Sequence, residues 1–235
     1  MFVRVFLLLC FFCVTLGNSG LAQTSKLASL KRPLESNLSK SELQTVLKGK
    51  FVTHSEDVQG HPWPIISVFG WTDASTEEIF AVFYDYNSAK TFVPNIIKSQ
   101  ITKKHSPTKV EIDYCIDVPI LADENYTSIN TLHPKQQNGR IQVTWSLVRA
   151  DNLKKAEGLF TAVPWKNGAK DGSLILYSNL TDPGSVGAGL LKGFAYGQMR
   201  DCVRAILDKV ANEKKRNPRE LQAKVDDLNK ILGGR

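Results

Sequence analysis

IISVFGWTDASTEEIFAVFYDYNSAKTFVP, the stretch Ile65–Pro94, carries the strongest local signals in the chain. A short apolar strand leads to Ser75, which lies three residues before Glu78. This spacing predicts a capping box, in which the Ser75 side chain accepts from a backbone N–H and the Glu78 carboxylate reaches back. The apolar face of residues 79–83 predicts a helix packed against a core, and Pro94 ends whatever follows.

The sequence on either side of this stretch predicts mostly β-strands. LKGKFVTH and PIISVFGWT are two early strands separated by a turn. After Pro94 the pattern is strand-like as far as Asp182, and it is broken by turn signals such as Ser106-Pro107 and Asn138-Gly139. RIQVTWSLV alternates apolar and polar residues, which predicts one buried and one wetter face. Short links between consecutive strands favour an antiparallel meander.

Two helical segments are predicted at the C-terminal end. The first runs from about Val186 to Lys215 and has an apolar stripe, and its first half carries Gly189, Gly193 and Gly197 on one side. These glycines indicate either close backbone packing on the sheet or space left for a ligand. The second segment, Pro218–Leu232, starts with a proline in the favoured first helical position. We expect it to fold back on the domain, and dimerisation or membrane association are the alternatives.

The first 22 residues are typical of a secretory signal peptide. Arg4 is followed by an apolar run over residues 5–16 and then by small residues ending at Ala22. An uncleaved anchor is the alternative, but the run falls short of the roughly 20 residues that span a bilayer. A lipoprotein signal fits less well, because large residues precede both Cys10 and Cys13. We therefore expect a secreted or periplasmic protein.

The remaining length suits a single domain with a sizeable core. The expected organisation is a signal peptide over 1–22, a polar N-terminal lead over 23–45, one domain over 46–213 and an amphipathic tail over 214–235.

Charge and metal-binding residue types exclude some functions. The net charge of +7 comes from scattered lysines without interleaved aromatic residues, which argues against nucleic-acid binding. The four histidines are isolated from one another, so no metal site is expected. Cys115 and Cys202 remain after the signal peptide is removed, and their predicted strand and helix phases point them apart. Two free thiols are therefore favoured over a disulfide, although an oxidising compartment permits one.

The order of elements resembles the helix-grip fold of the START, Bet v 1 and polyketide-cyclase superfamily over roughly residues 46–213. STEEIFAVFYDYNSAKTFVP is similar to that superfamily's early signature, in which an apolar helix leads to Asp85-Tyr86 and then to Phe92-Val93-Pro94. Trp145-Ser146-Leu147, Gly158, Pro164-Trp165 and SLILYSN resemble late strands of the coenzyme Q-binding and polyketide cyclase branches. The glycine-rich DPGSVGAGLLKG departs from those branches, which commonly carry prolines there.

The resemblance implies an α+β fold. A curved antiparallel sheet of about six to seven strands would surround a long C-terminal helix, with one or two short helices after the early strands and an apolar cavity between sheet and helix. Members of this superfamily bind lipids, quinones, sterols or polyketides, and a minority catalyse cyclisation. We therefore expect a hydrophobic small molecule or lipid as partner, a transient membrane contact, no cofactor and no nucleic acid.

The leading hypothesis is an exported binder, or carrier, of a hydrophobic small molecule. Each candidate cavity residue also suits an ordinary core position, and Trp63 and Trp165 lie beside prolines where an aromatic ring can line an entrance. The candidates are Tyr114, Trp145, Phe160, Phe194 and Met199 for ligand binding, and Trp63, Trp165, Gly189 and Gly193 for the cavity entrance.

Two other functional classes stay open. A cyclase- or dehydratase-like enzyme would need a carboxylate or histidine with a shifted pKa inside the cavity. Strand alternation instead places Asp113 and Asp117 with Glu111 on the expected solvent face. An interaction module without a ligand would use the C-terminal tail as its contact surface.

Overall fold

The structure is a computed structural model that describes residues 33–118, 122–184 and 188–233. The predicted signal peptide and residues 23–32 of the polar lead lie outside the described residues. The described parts contain eight strands, four α-helices and two 3-10 helices, Leu34–Asn37 and Tyr86–Thr91. The α-helices are α1 (Lys40–Leu47), α2 (Thr76–Phe83), α3 (Ala188–Arg216) and α4 (Pro218–Gly233). The strands are β1 (Val52–Glu56), β2 (Ile65–Thr72), β3 (Ile96–Ser106), β4 (Lys109–Ile116), β5 (Glu124–Leu132), β6 (Ile141–Ala150), β7 (Lys155–Pro164) and β8 (Ser173–Asp182).

All eight strands form one antiparallel sheet in the order β1-β2-β8-β7-β6-β5-β4-β3. Strands β3 to β8 make the predicted meander, and the early hairpin β1–β2 joins it by pairing β2 with β8. The α+β helix-grip architecture is confirmed. The strand count is higher than the six to seven expected, because all eight extended segments find an antiparallel neighbour.

Helix α2 begins with the predicted capping box. The Glu78 N–H donates to Ser75 Oγ at 3.1 Å, and the Ser75 N–H donates to Glu78 Oε2 at 2.8 Å. Two orphan donors of the first turn are thereby satisfied. Behind the cap, Ile79 and Phe80 are fully buried in the main core, so the cap fixes how the apolar face meets the sheet.

The two C-terminal helices complete the main core. Val203 and Val210 of α3 are fully buried there, which confirms the predicted apolar stripe. Helix α4 folds back and buries Leu221, Val225 and Leu228 in the same core. The expectation of folding back is therefore confirmed in this chain. Within the described residues, no helix combines the length and apolar character needed to cross a membrane.

The other face of the sheet carries a second core. Leu34 of the first 3-10 helix and Val46 of α1 are fully buried against Phe69, Leu159 and sheet residues beside them. Part of the segment predicted as a polar lead thus packs on the sheet from Leu34 onward. Both faces of the central strands are covered, and the cavity lies on the face that α3 crosses.

Candidate ligand-binding cavity

A cavity of about 610 Å³ lies between the sheet, the segment after α2 and helix α3. Its size is in the range of small-molecule sites in proteins. At about 30 Å³ per water molecule, it has room for roughly 20 waters or a similar number of methylene groups. Most of its lining is apolar or aromatic, and strands β3 to β8 all contribute. The aromatic lining residues are Trp63, Phe83, Tyr86, Phe92, Tyr114, Tyr126, Trp145 and Tyr177.

Strand β5 supplies the central wall of the cavity. Glu124, Tyr126, Ser128 and Asn130 all line it, because residues two apart on a strand point to the same face. On the neighbouring strand, Tyr114 is paired with Tyr126, and their rings stack with centroids 5.1 Å apart. This register joins aromatic and polar side chains in one continuous surface.

Strands β6 and β8 fix the orientation of an indole next to the wall that β5 supplies. Trp145 is paired with Asn130 across the sheet, and its ring lies 5.0 Å from that of Tyr177. The Trp145 indole Nε1–H donates to Asn179 Oδ1 at 3.1 Å. In turn, the Asn179 amide donates to Thr181 Oγ1 at 2.9 Å. The polar edge of the indole is satisfied, so its apolar face is free to contact a ligand.

Helix α3 closes the cavity with side chains one turn apart. Ala195, Met199, Cys202 and Ile206 line it. Neither described glycine of the predicted stripe is packed closely, since a Cβ at Gly193 or at Gly197 would meet no atom within 4 Å. Close backbone packing is therefore not the role of these two glycines. Neither glycine is among the residues that line the cavity, so the alternative prediction of space left for a ligand stays a prediction.

A single carboxylate organises one edge of the cavity. Glu124 is 7% exposed, and its Oε1 accepts from the backbone N–H groups of Asn152 and Leu153 at 2.9 and 3.1 Å. Its Oε2 accepts from the Asn152 side-chain amide at 2.8 Å. These bonds hold the loop between β6 and β7 against the cavity. Glu124 is the only described lining residue that carries a formal charge at neutral pH.

The other ionisable groups of the cavity are neutral. Burial raises the pKa of Cys202 to about 12, and it raises the pKa values of Tyr86, Tyr126 and Tyr177 well above the ordinary range. Desolvation disfavours the charged form of each group. The site therefore presents neutral hydroxyls and a thiol, which can hydrogen-bond without imposing charge.

The structure brings four of the sequence-predicted site residues to the cavity. Tyr114, Trp145 and Met199 lie on its wall, and Trp63 lies at its edge with 7% exposure. Gly193 lies on α3 at an exposed position. The side chain of Phe194 and the surroundings of Gly189 lie outside what the structure describes.

Two predicted site residues are placed elsewhere. Phe160 is fully buried in the core, because Phe80 and Phe83 of α2 pack over it with ring centroids 5.1 and 4.9 Å away. Trp165 packs with the second core on the other face of the sheet, where its carbonyl accepts from the Trp71 indole at 3.4 Å. Trp165 follows the C-terminal end of β7. The loop around Asn152, which Glu124 holds, precedes the N-terminal end of the same strand.

Several lining residues were missed from the sequence. Tyr126, Asn130 and Tyr177 were not named as candidates, although each lies on the wall. The available signal was the two-residue spacing of Glu124, Tyr126, Ser128 and Asn130. Because both faces of ENYTSINTL carry polar residues, hydrophobic alternation could not show which face is inside.

The two cysteines are free thiols, as their phases predicted. Cys202 lines the cavity, whereas Cys115 alternates with the lining residues Tyr114 and Ile116 and so points to the other face. Among the described residues, no three His, Cys, Asp or Glu side chains group as a metal site would require.

Comparisons with known proteins place this architecture among lipid-transfer and cyclase domains. No family model and no curated protein matches the sequence. Among solved structures, a STAR-related lipid transfer protein from Xanthomonas axonopodis matches with a TM-score of 0.60 and 19% identity, covering 68% of this chain and 93% of that one. Human STARD10 matches with a TM-score of 0.53 and 14% identity, covering 80% and 86%. The Zhui aromatase/cyclase from Streptomyces sp. R1128 matches with a TM-score of 0.50 and 12% identity, covering 63% and 94%.

These likenesses establish the fold. The described domain has the START-like helix-grip fold, in agreement with the resemblance seen in the sequence. At such low identity, ligands and activities do not follow from the fold alone.

Proposed function

We propose that this protein is an exported binder, and carrier, of a hydrophobic small molecule such as a lipid or quinone. The observation that carries the proposal is the 610 Å³ cavity with its mainly apolar and aromatic wall. A comparable void filled only by water would leave these side chains without packing partners. The lipid-transfer proteins among the structural neighbours support the same class of ligand.

The energetics of such a cavity require no catalytic group. Each methylene of a ligand that moves from water to the apolar wall contributes ~0.8 kcal/mol. Affinity for a homologous series of alkyl compounds should therefore rise about fourfold per added methylene until the cavity is full. With room for roughly 20 such groups, the gain should level off near that chain length.

The test compares a blocked cavity with a matched surface substitution on the same helix. Ala195 lines the cavity, whereas Ala211 is exposed further along α3. We expect the wild-type protein and A211W to carry extractable lipid on native purification and to bind the neutral fluorophore Nile red. A195W should lose at least tenfold in Nile red affinity, because an indole would fill part of the space.

The proposal fails if wild-type protein carries no extractable lipid and changes the fluorescence of no hydrophobic probe. It also fails if A195W binds Nile red as tightly as A211W, because the probe would then occupy another surface. Mass spectrometry of the extracted material names the chemical class of the ligand in the same experiment.

Export is part of the proposal and rests on the sequence of residues 1–22. Cleavage after Ala22 would leave a mature chain that starts at Gln23. N-terminal sequencing of the protein recovered outside the cytoplasm tests this directly. An intact Met1 on the recovered protein would contradict cleavage.

A further inference from the structure

The cavity has polar side chains at two places: Ser128 and Asn130 lie toward the core, and Glu124 with its partner Asn152 lies at the opposite edge. Asn130 and its partner Trp145 line the cavity, and the next pair along the same strands, Leu132 and Val143, is buried in the main core. At the other end of β5, Glu124 pairs with Ile116, and the residues around it are mainly apolar. They are Val118, Ala122, Leu153 and Pro183. A ligand that left its polar group at this edge would face mainly apolar side chains, a carboxylate, and an Asn152 amide that already donates to that carboxylate.

Tyr86 places an unmet hydrogen-bond donor beside Asn130. It is 2% exposed and lines the cavity, yet its hydroxyl forms no hydrogen bond of normal geometry in the described structure. Burial raises the pKa of the Tyr86 phenol well above its ordinary range, and the nearby Asn130 side chain acts in the opposite direction. The Asn130 carbonyl oxygen already accepts from Ser128 Oγ at 2.7 Å. Among the described lining residues, the Tyr86 hydroxyl is the fully buried side-chain group that has no hydrogen-bond partner.

An unmet buried hydroxyl is destabilising by itself. Replacing it with hydrogen would remove the cost of desolvation without losing a bond to the protein. Buried polar groups in folded proteins almost always have a partner, so an acceptor supplied by a ligand is a direct explanation. Tyr126 adds a second hydroxyl on the same wall.

The charge distribution limits what kind of acceptor can enter. The described lining contains one formal charge, that of Glu124, and its two oxygens already accept three hydrogen bonds. None of the described lining residues is Lys, Arg or His. An anionic ligand group would lose its hydration without gaining a cation, and it would do so in a cavity that holds a carboxylate.

We infer that the cavity selects neutral molecules with an apolar body and a hydroxyl or carbonyl oxygen at one end, and that this end enters first and accepts from the Tyr86 hydroxyl. The inference rests on the proposed binding function and adds the charge and orientation of the ligand. Long-chain alcohols, ketones and esters belong to this class, whereas ionised fatty acids do not.

The charge selection is tested with two ligands that differ only at one end. Purified protein loaded with Nile red is titrated at pH 8 with 1-dodecanol or with dodecanoate, each below its aggregation concentration. Dodecanol should displace the probe at concentrations at least ~100-fold lower than dodecanoate does. Full burial raises the pKa of a carboxyl group by up to about 3 to 5 units, so burying the ionised group at pH 8 carries a large free-energy cost. Equal displacement by dodecanoate would overturn the charge selection, while displacement itself would leave the binding function standing.

The anchoring role is tested with two neighbouring tyrosines. Y86F removes the unmet hydroxyl inside the cavity, and Y84F removes a hydroxyl that donates to the Pro107 carbonyl at 2.7 Å near the surface. Y86F should weaken dodecanol binding about 3- to 10-fold, the usual worth of one hydrogen bond, and it should unfold at the same or a higher denaturant concentration. Y84F should leave dodecanol affinity unchanged.

A Y86F protein that binds dodecanol as tightly as wild type would overturn the anchoring role. Equal weakening by Y84F would also overturn it, because the effect would then come from general loosening of the fold. If the wild-type protein binds neither Nile red nor dodecanol, the proposed function itself fails and the inference falls with it.

Discussion

Substitution of Gly158 by alanine is expected to destabilise the fold and distort the cavity. Gly158 lies in β7 between β6 and β8, and an added Cβ would be 2.4 Å from the Ser178 carbonyl oxygen and 2.4 Å from Cζ2 of Trp145. Both distances are far below van der Waals contact. The carbonyl belongs to the sheet backbone, so the strand must shift or the Trp145 indole must move.

The expected magnitude combines two costs. Overpacking a filled site costs about 1–3 kcal/mol. Displacing the indole also breaks the hydrogen bond from Trp145 Nε1 to Asn179 Oδ1, which is worth about 1 kcal/mol. The free energy of unfolding should therefore fall by about 2–4 kcal/mol. Because Trp145 lines the cavity, Nile red affinity should fall as well.

The matched control is the same substitution on α3. A Cβ at Gly197 would meet no atom within 4 Å, and alanine is favoured over glycine in a helix interior by roughly 0.5–1 kcal/mol. G197A should therefore be slightly more stable than wild type. Equilibrium urea unfolding followed by far-UV circular dichroism measures both variants. The reasoning is refuted if G158A unfolds within ~0.5 kcal/mol of wild type, the usual range of a neutral surface substitution, or if both variants shift in the same direction.

Three further outcomes are expected. F160A should lower the free energy of unfolding by about 3–5 kcal/mol, because this fully buried ring packs against Phe80 and Phe83; a loss below ~1 kcal/mol would contradict its place in the core. D85N should cost less than ~1 kcal/mol, with the difference vanishing in high salt, because the Asp85–Lys224 pair at 3.3 Å is about one third exposed; a salt-independent loss in urea unfolding would show another role for Asp85. Hydrogen bonds from the Ser39 backbone and from His54 lower the pKa of Glu42 from its ordinary value of 4.5 to about 2. The stabilisation that Glu42 gives α1 should therefore be complete above pH 4.5 and disappear as the pH falls through about 2, and a carboxyl carbon NMR titration with a midpoint near 4.5 would contradict this.

Local sequence rules predicted the elements well because each rule acts over a few neighbouring residues. The Ser75–Glu78 capping box spans three residues and forms as expected. The apolar stripe of α3 repeats every three or four residues, and it reaches the core at Met199, Val203 and Val210. The C-terminal helix folds back because its buried leucines and valine have a complementary apolar face on the domain.

The site was predicted less completely, since its residues depend on which face of each strand is inside. Phe160 alternates correctly for an inward position, but helix α2 covers it and removes it from the cavity wall. Trp165 lies beside a proline, as expected for an aromatic residue in a loop. It follows the C-terminal end of β7, however, and packs with the second core, away from the cavity. In both cases a neighbour distant in sequence decided the environment.

The sequence by itself determined most of the order of strands and helices along the chain and the Ser75–Glu78 cap, because these follow from periodicity, turn chemistry and capping within short windows. The α+β helix-grip class was implied by the resemblance of that order to a known superfamily. Only the tertiary structure decided which side chains share the cavity. Tyr86, Asn130 and Tyr177 come from different elements, and the sheet register and the packing of the 3-10 helix Tyr86–Thr91 against β3 bring them together. The unmet hydroxyl of Tyr86 and the isolated charge of Glu124 are properties of that assembly, since hydrogen bonding and desolvation depend on neighbours that the chain supplies from far away.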